Sequence, residues 1–146
     1  MSIKIDKMQY QPNGISYTLA FLSIAFNSYY LLTVINNRSI VPTVGIALKI
    51  LFNIAFILIV FLGMVKVKAY EKKWSYVLFG FGVITLLRIF YIPLRAFAIP
   101  SISTLYTIHL IIILLIIAAL LISSAVIAYI KCVALEKYLK DQKKVV

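Results

Sequence analysis

The sequence predicts an all-α membrane protein, with four transmembrane helices in an up-down-up-down bundle and both termini cytoplasmic. Three observations carry this expectation. The 146-residue chain is 64% hydrophobic and 13% charged, with a mean hydropathy of +1.05. Soluble domains run about 45–50% apolar and about 25% charged, and a chain this short has too little interior to hide the excess. The apolar residues fall into four long runs, and the basic residues gather between and beyond those runs with a strong bias to one side.

The runs are 15–35, 44–65, 75–92 and 102–130. At about 1.5 Å per residue, each crosses or nearly crosses a hydrocarbon core about 30 Å thick. Backbone polar groups in lipid must pair within the chain, so the runs are expected to be helices. Nothing alternates with period two, which excludes a barrel.

The first run follows a polar segment ending in Pro12, Asn13 and Gly14, a turn signal. It is longer than the apolar region of a signal peptide, and no small-x-small cleavage site closes it. The second run is reached through NNRSIVPT, 36–43, and the third through KVKAYEKKW, 66–74. The fourth follows PLRAFAIPS, 93–101, with a proline near each edge, and runs on into a basic tail from Lys131 that extends the helix. Connections this short favour antiparallel neighbours. With no repeat or soluble segment, residues 1–146 read as a single transmembrane domain.

Orientation follows from the lysines. Lys4, Lys7, Lys66, Lys68, Lys72, Lys73, Lys131, Lys137, Lys140, Lys143 and Lys144 share one side. The other side has Arg38 and Arg95 in loops, with Lys49 and Arg88 inside runs. Positive charge marks the cytoplasmic side, so both termini are expected there, in a multi-pass protein of the cell membrane. Tyr70, Trp74, Tyr76 and Tyr129 fall at the inner interface and Tyr29, Tyr30, Tyr91 and Tyr106 near the outer one, where aromatic rings prefer headgroup depth. The excess of lysine over arginine and the frequent isoleucine resemble usage in bacteria with AT-rich genomes.

Composition also bounds the chemistry. A net charge of +11 on a soluble chain would point to nucleic acid, but these lysines flank apolar runs, and no basic stripe with interleaved aromatics lies outside them. Nucleic acid is therefore not an expected partner, and membrane lipid is. The lone Cys132 excludes an intramolecular disulfide and any cysteine-based metal site within one chain. No His/Glu/Asp cluster, phosphate loop, nucleophile elbow or paired carboxylate is present, so neither a metal nor a cofactor is expected.

Two sets of residues stand out. On the first run, Ser16, Ala20, Ser23, Asn27, Tyr30, Val34 and Asn37 recur in steps of 4 and 3, the seam of a left-handed helix pair. Small and hydrogen-bonding side chains mark packed faces in lipid, so this is a helix–helix face within the chain, or a face for a partner subunit or a small polar ligand. Asn27 and Asn53 reach similar mid-bilayer depth on successive runs, which allows a hydrogen bond between them. The second set is an outer-side group of cations without an acid: Lys49, Arg88, Arg95 and the single His109, with all four carboxylates (Asp6, Glu71, Glu136, Asp141) on the cytoplasmic side. These cations either snorkel to lipid phosphates or form an anion, lipid or partner-binding site. Arg88 stands deepest, about 21 Å from the inner edge by helix rise. Gly80 and Gly82 within the third run read as close helix packing. Cys132 reads as an interfacial thiol.

The expected function is non-catalytic: an accessory or assembly subunit of a larger membrane complex such as a transporter, with another integral membrane protein as partner. The alternative is a small membrane protein that binds or transports an anionic or lipid-linked ligand through the outer cationic site. A membrane enzyme using His109 and Arg88 on a lipid phosphate is a third class, without a convincing acid–base pair.

Overall fold

The computed structural model describes residues 13–36, 43–91 and 103–144. Within them lie four helices: α1 (Gly14–Asn36), α2 (Thr43–Lys68), α3 (Lys72–Tyr91) and α4 (Thr104–Lys144). All four are long and apolar enough to cross a membrane. Arg38 and Arg95 lie outside the described residues, as does Asn37 at the end of the seam.

The helices outrun the apolar runs where the flanking sequence still favours helix. Hydropathy locates the lipid boundary, whereas a helix continues through Lys, Ala, Leu and Glu until its hydrogen bonding is capped. Hence α2 extends past Val65 to Lys68, and α3 starts at Lys72 rather than at Ser75. The last helix is 41 residues long, about 61 Å by rise, roughly twice the thickness of a hydrocarbon core. Its continuation beyond Ile130 packs on the turn between α2 and α3: the Cys132 thiol donates to the Tyr70 carbonyl (3.4 Å), and Lys72 pairs with Glu136 (3.1 Å).

That turn is three residues, 69–71. The Glu71 N–H reaches back to the Lys66 carbonyl and the Tyr70 N–H to that of Val67 (both 3.1 Å), which closes the end of α2 as a Schellman motif. Tyr70 holds the left-handed position of this motif, φ 61°, where glycine is the usual residue. The Glu71 carbonyl then accepts from the Trp74 N–H and begins α3.

Each helix packs on its chain neighbours where they are described, α1 on α2, α2 on α3 and α3 on α4, and α4 also packs on α1. The core between them is apolar: Ala20, Tyr30 and Val34 from α1; Phe56, Val60 and Met64 from α2; Leu78 from α3; and the stripe Leu110, Leu114, Ile117 and Leu121 of α4. Glycine sets two of the approaches. A Cβ on Gly82 would lie 2.7 Å from Ile122 Cγ1, and one on Gly63 2.9 Å from Leu78 Cδ2, so α3 meets both α4 and α2 at positions where an added methyl obliges the neighbour to shift. Gly80 faces open space. Outward faces carry Phe21, Leu32, Leu51, Leu58, Leu87 and Phe90, all at least half exposed. An apolar exterior of this extent is suited to lipid rather than water.

Candidate functional site

The seam on α1 is used inside the chain. Ser16, Ala20, Ser23 and Asn27 are fully buried, and Tyr30 and Val34 nearly so. At one end, Ser16 and Ser124 clamp α1 to α4 reciprocally: the Ser16 hydroxyl donates to the Ser124 carbonyl (2.6 Å), and the Ser124 hydroxyl to the Ser16 carbonyl (2.7 Å). Their hydroxyls also sit 2.9 Å apart. Ser23 satisfies itself on the Ala20 carbonyl (2.7 Å).

Further along the seam, three helices meet at one polar cluster. Asn27 Nδ2 on α1 donates to Asn53 Oδ1 on α2 (3.1 Å), and Asn53 Nδ2 donates to the Lys49 carbonyl one turn earlier (2.7 Å). Arg88 enters from α3. Its two terminal nitrogens donate to Asn27 Oδ1 (3.1 Å) and Asn53 Oδ1 (3.2 Å). The guanidinium carbon lies 5.0 Å from the Tyr30 ring centre, 5.3 Å from that of Phe52 and 5.8 Å from that of Phe56. Amide dipoles and the negative faces of aromatic rings thus surround the cation, each ring worth about 0.5–2 kcal/mol.

Among the described residues, no carboxylate pairs with the cluster. The ion pairs among the described residues, Lys66–Glu71 and Lys72–Glu136, lie at the other end of the bundle. A guanidinium has five N–H donors; the two amides take two of them, leaving three. The Tyr30 hydroxyl, on one of the surrounding rings, is buried without a hydrogen-bond partner.

Of the outer cations, Arg88 and His109 find different partners. Arg88 turns inward to the asparagines. Lys49 is half-buried and contributes its carbonyl to the cluster. His109 is exposed and pairs with α1 instead, its Nε2 3.2 Å from the Tyr29 hydroxyl with the rings edge-on. Arg95 lies outside the described residues. Near the Tyr29–His109 pair, an open groove of about 670 Å³ is lined by Tyr29, Leu32, Thr33, Ile35, Asn36 and Tyr106. Tyr106 donates to the Thr33 carbonyl (2.8 Å) and joins α4 to α1 at that level.

In the sequence the seam asparagines and Arg88 stand apart as separate sets, and nothing there marks Tyr30, Phe52 and Phe56 as the rings around the guanidinium. Depth was the available signal. Counting inward from the lysine-rich edge brings Arg88 within one long side chain of the level of Asn27 and Asn53.

Together these features describe a class: among the described residues, four helices suited to a membrane enclose a cationic centre that those residues do not neutralise. No protein-family model, curated protein or solved structure matches the chain.

Proposed function

We propose that this chain is a non-catalytic, multi-pass protein of the cell membrane that binds an anionic group at Arg88. The observation that carries the reading is the guanidinium itself, held inside the bundle by two neutral amides and three rings while keeping unused donors. A charge removed from water is costly unless paired, and intramembrane charges commonly mark ligand or ion pathways. Planar N–H forks suit carboxylate and phosphate oxygens.

The same proposal includes the topology. Four helices alternate across the bilayer, with both termini on the lysine-rich cytoplasmic side. Support comes from the direction of the paired contacts: Ser16 with Ser124 but Tyr29 with His109, and Lys72 with Glu136 but Tyr76 with Tyr129. In each pair of helices, rising numbers on one meet falling numbers on the other.

The other role, an accessory subunit of a larger membrane complex, has the α1 seam and the outer cations as its positive support. The seam is spent on α2 and α4, and Arg88 faces inward, so anion binding is the reading these residues favour.

The test is retention of anionic lipid by the full chain purified in detergent, read by native mass spectrometry. Arg88→Leu removes the cation, and Asn27→Asp places a carboxylate against it. Each variant is expected to lower retention about tenfold, or about 1.4 kcal/mol, with helicity and melting preserved. Unchanged retention in Asn27→Asp and in Arg88→Leu, both folded, overturns the reading.

A further inference from the structure

We infer that the groove between the outer parts of α1 and α4 is the mouth of the Arg88 site, and that its ligand is a phosphate group held jointly by Arg88 and the Tyr30 hydroxyl. This inference rests on the anion-binding reading above and specifies its ligand and entrance.

Two independent observations meet here. The first is the orphaned hydroxyl. Tyr30 is 1% exposed, and its oxygen has no hydrogen-bond partner, although a buried hydroxyl ordinarily has one. Its ring lies against the guanidinium, with the centre 5.0 Å from the Arg88 carbon. The hydroxyl at the end of that ring is therefore no farther from Arg88 than a phosphate group and its two hydrogen bonds can span. With the three guanidinium donors that the amides leave, it supplies a fourth donor beside a cation that the described residues do not neutralise. A tetrahedral phosphate presents oxygens in more directions than a planar carboxylate and suits donors spread over two helices.

The second observation is the groove. Tyr106, which lines it, donates to the carbonyl of Thr33, one turn beyond Tyr30 on α1, and packs against the core cluster that holds Tyr30, whose ring in turn lies against Arg88, so Tyr30 stands between the open space and the buried charge. The hydroxyl is buried in this conformation, so a ligand reaches it only when the side chains around it move. The rim offers Thr33, Asn36 and the Tyr29–His109 pair for the remaining oxygens or for a headgroup. Apolar Leu32 and Ile35 complete the lining, as an entering acyl chain requires.

The source of the phosphate is a lipid or the free ion, and one experiment separates them. The full chain in a maltoside detergent is titrated with phosphatidic acid, with diacylglycerol of the same acyl chains, and with inorganic phosphate, and binding is read by calorimetry. Saturable binding of phosphatidic acid, without binding of diacylglycerol, is expected. Competition by millimolar inorganic phosphate assigns the free ion as a ligand; its absence assigns the lipid-borne group, and either supports the phosphate class.

Tyr30→Phe keeps the ring and deletes only the hydroxyl. It is expected to weaken phosphatidic acid binding about tenfold while the chain melts no lower than the wild type, since an orphan polar atom has been removed. Tyr106→Trp, which crowds the groove, is expected to weaken binding as well. Full affinity in a folded Tyr30→Phe variant overturns the inference even if Arg88→Leu abolishes binding, in which case anion binding at Arg88 stands alone. Equal binding of diacylglycerol overturns the phosphate assignment. Unchanged affinity in both Tyr30→Phe and Arg88→Leu removes the inference and the reading beneath it.

Discussion

The side chains that decide this protein's character are few, and Arg88 is foremost among them. Its two hydrogen bonds go to oxygens of Asn27 and Asn53, so both amides must present their carbonyl side to the cation, and the amide–amide bond of 3.1 Å fixes that orientation. Intramembrane hydrogen bonds contribute modestly, about 0.6 kcal/mol on average, so the cluster specifies how α1, α2 and α3 fit more than it stabilises them. A direct consequence is that cysteines placed at 27 and 53, in a chain with Cys132 replaced by serine, should form an oxidative cross-link within one polypeptide. Mobility on denaturing gels reports it, and cross-linking between polypeptides instead would contradict the three-helix cluster. The two asparagines could be paired from the sequence because both sit at mid-bilayer depth. The aromatic rings around Arg88 could not, since Phe52, Phe56 and Tyr30 look like ordinary apolar or interfacial residues until the helices are rotated into place.

Helices in this chain are distinguished by what lets them approach one another. The third run carries two glycines two positions apart, yet their surroundings are opposite: a Cβ on Gly82 meets Ile122 at 2.7 Å, and one on Gly80 meets nothing within 4 Å. Gly82→Ala should therefore destabilise the chain, because Ile122 is β-branched and stiff against the shift demanded of it. Gly80→Ala should leave stability unchanged or raise it by about 0.5–1 kcal/mol, the usual helix cost of glycine. Unfolding in mixed micelles compares the two, and equal effects would contradict the α3–α4 contact. The tight turn from α2 to α3 follows a similar logic. A Schellman cap seats Tyr70 at φ 61°, and the extension of α4 covers it through the Cys132 thiol. Close packing at glycine was expected from the sequence; which glycine touches a neighbour was not, because residues two apart on a helix face different directions.

Across the described residues, polar groups lie between the helices and toward both ends, and the flanks are left to lipid. Leu32, Leu51, Leu87 and Phe90 are each at least 60% exposed, while Ser16, Ser23 and Asn27 are fully buried, the arrangement favoured when the surrounding solvent is hydrocarbon. The proposed topology makes a plain prediction. Reporter fusions at residue 70 and following the last lysines should read cytoplasmic, and fusions near 38 and 98 external. An internal reading at 38 would contradict the four-span arrangement. This layout, with an Arg88 that the described residues do not neutralise, is what the proposal of ligand binding between helices rests on.

What the sequence determined alone was the class of structure. Four apolar runs, each long enough for a bilayer, leave the helix as the only way to pair their backbones, and this follows from composition and length without any contact being known. The 4-and-3 stripe on α1 similarly marked a packed face, since its period is intrinsic to the helix. The tertiary structure decided which helix that face meets, and it brought Arg88 to Asn27 and Asn53, left His109 with Tyr29, and set Tyr30 against the cation with its hydroxyl unpaired. The reason is rotational. Hydropathy reports how deep a residue lies along its helix, but the angle at which each helix faces its neighbours is fixed only when all four pack together.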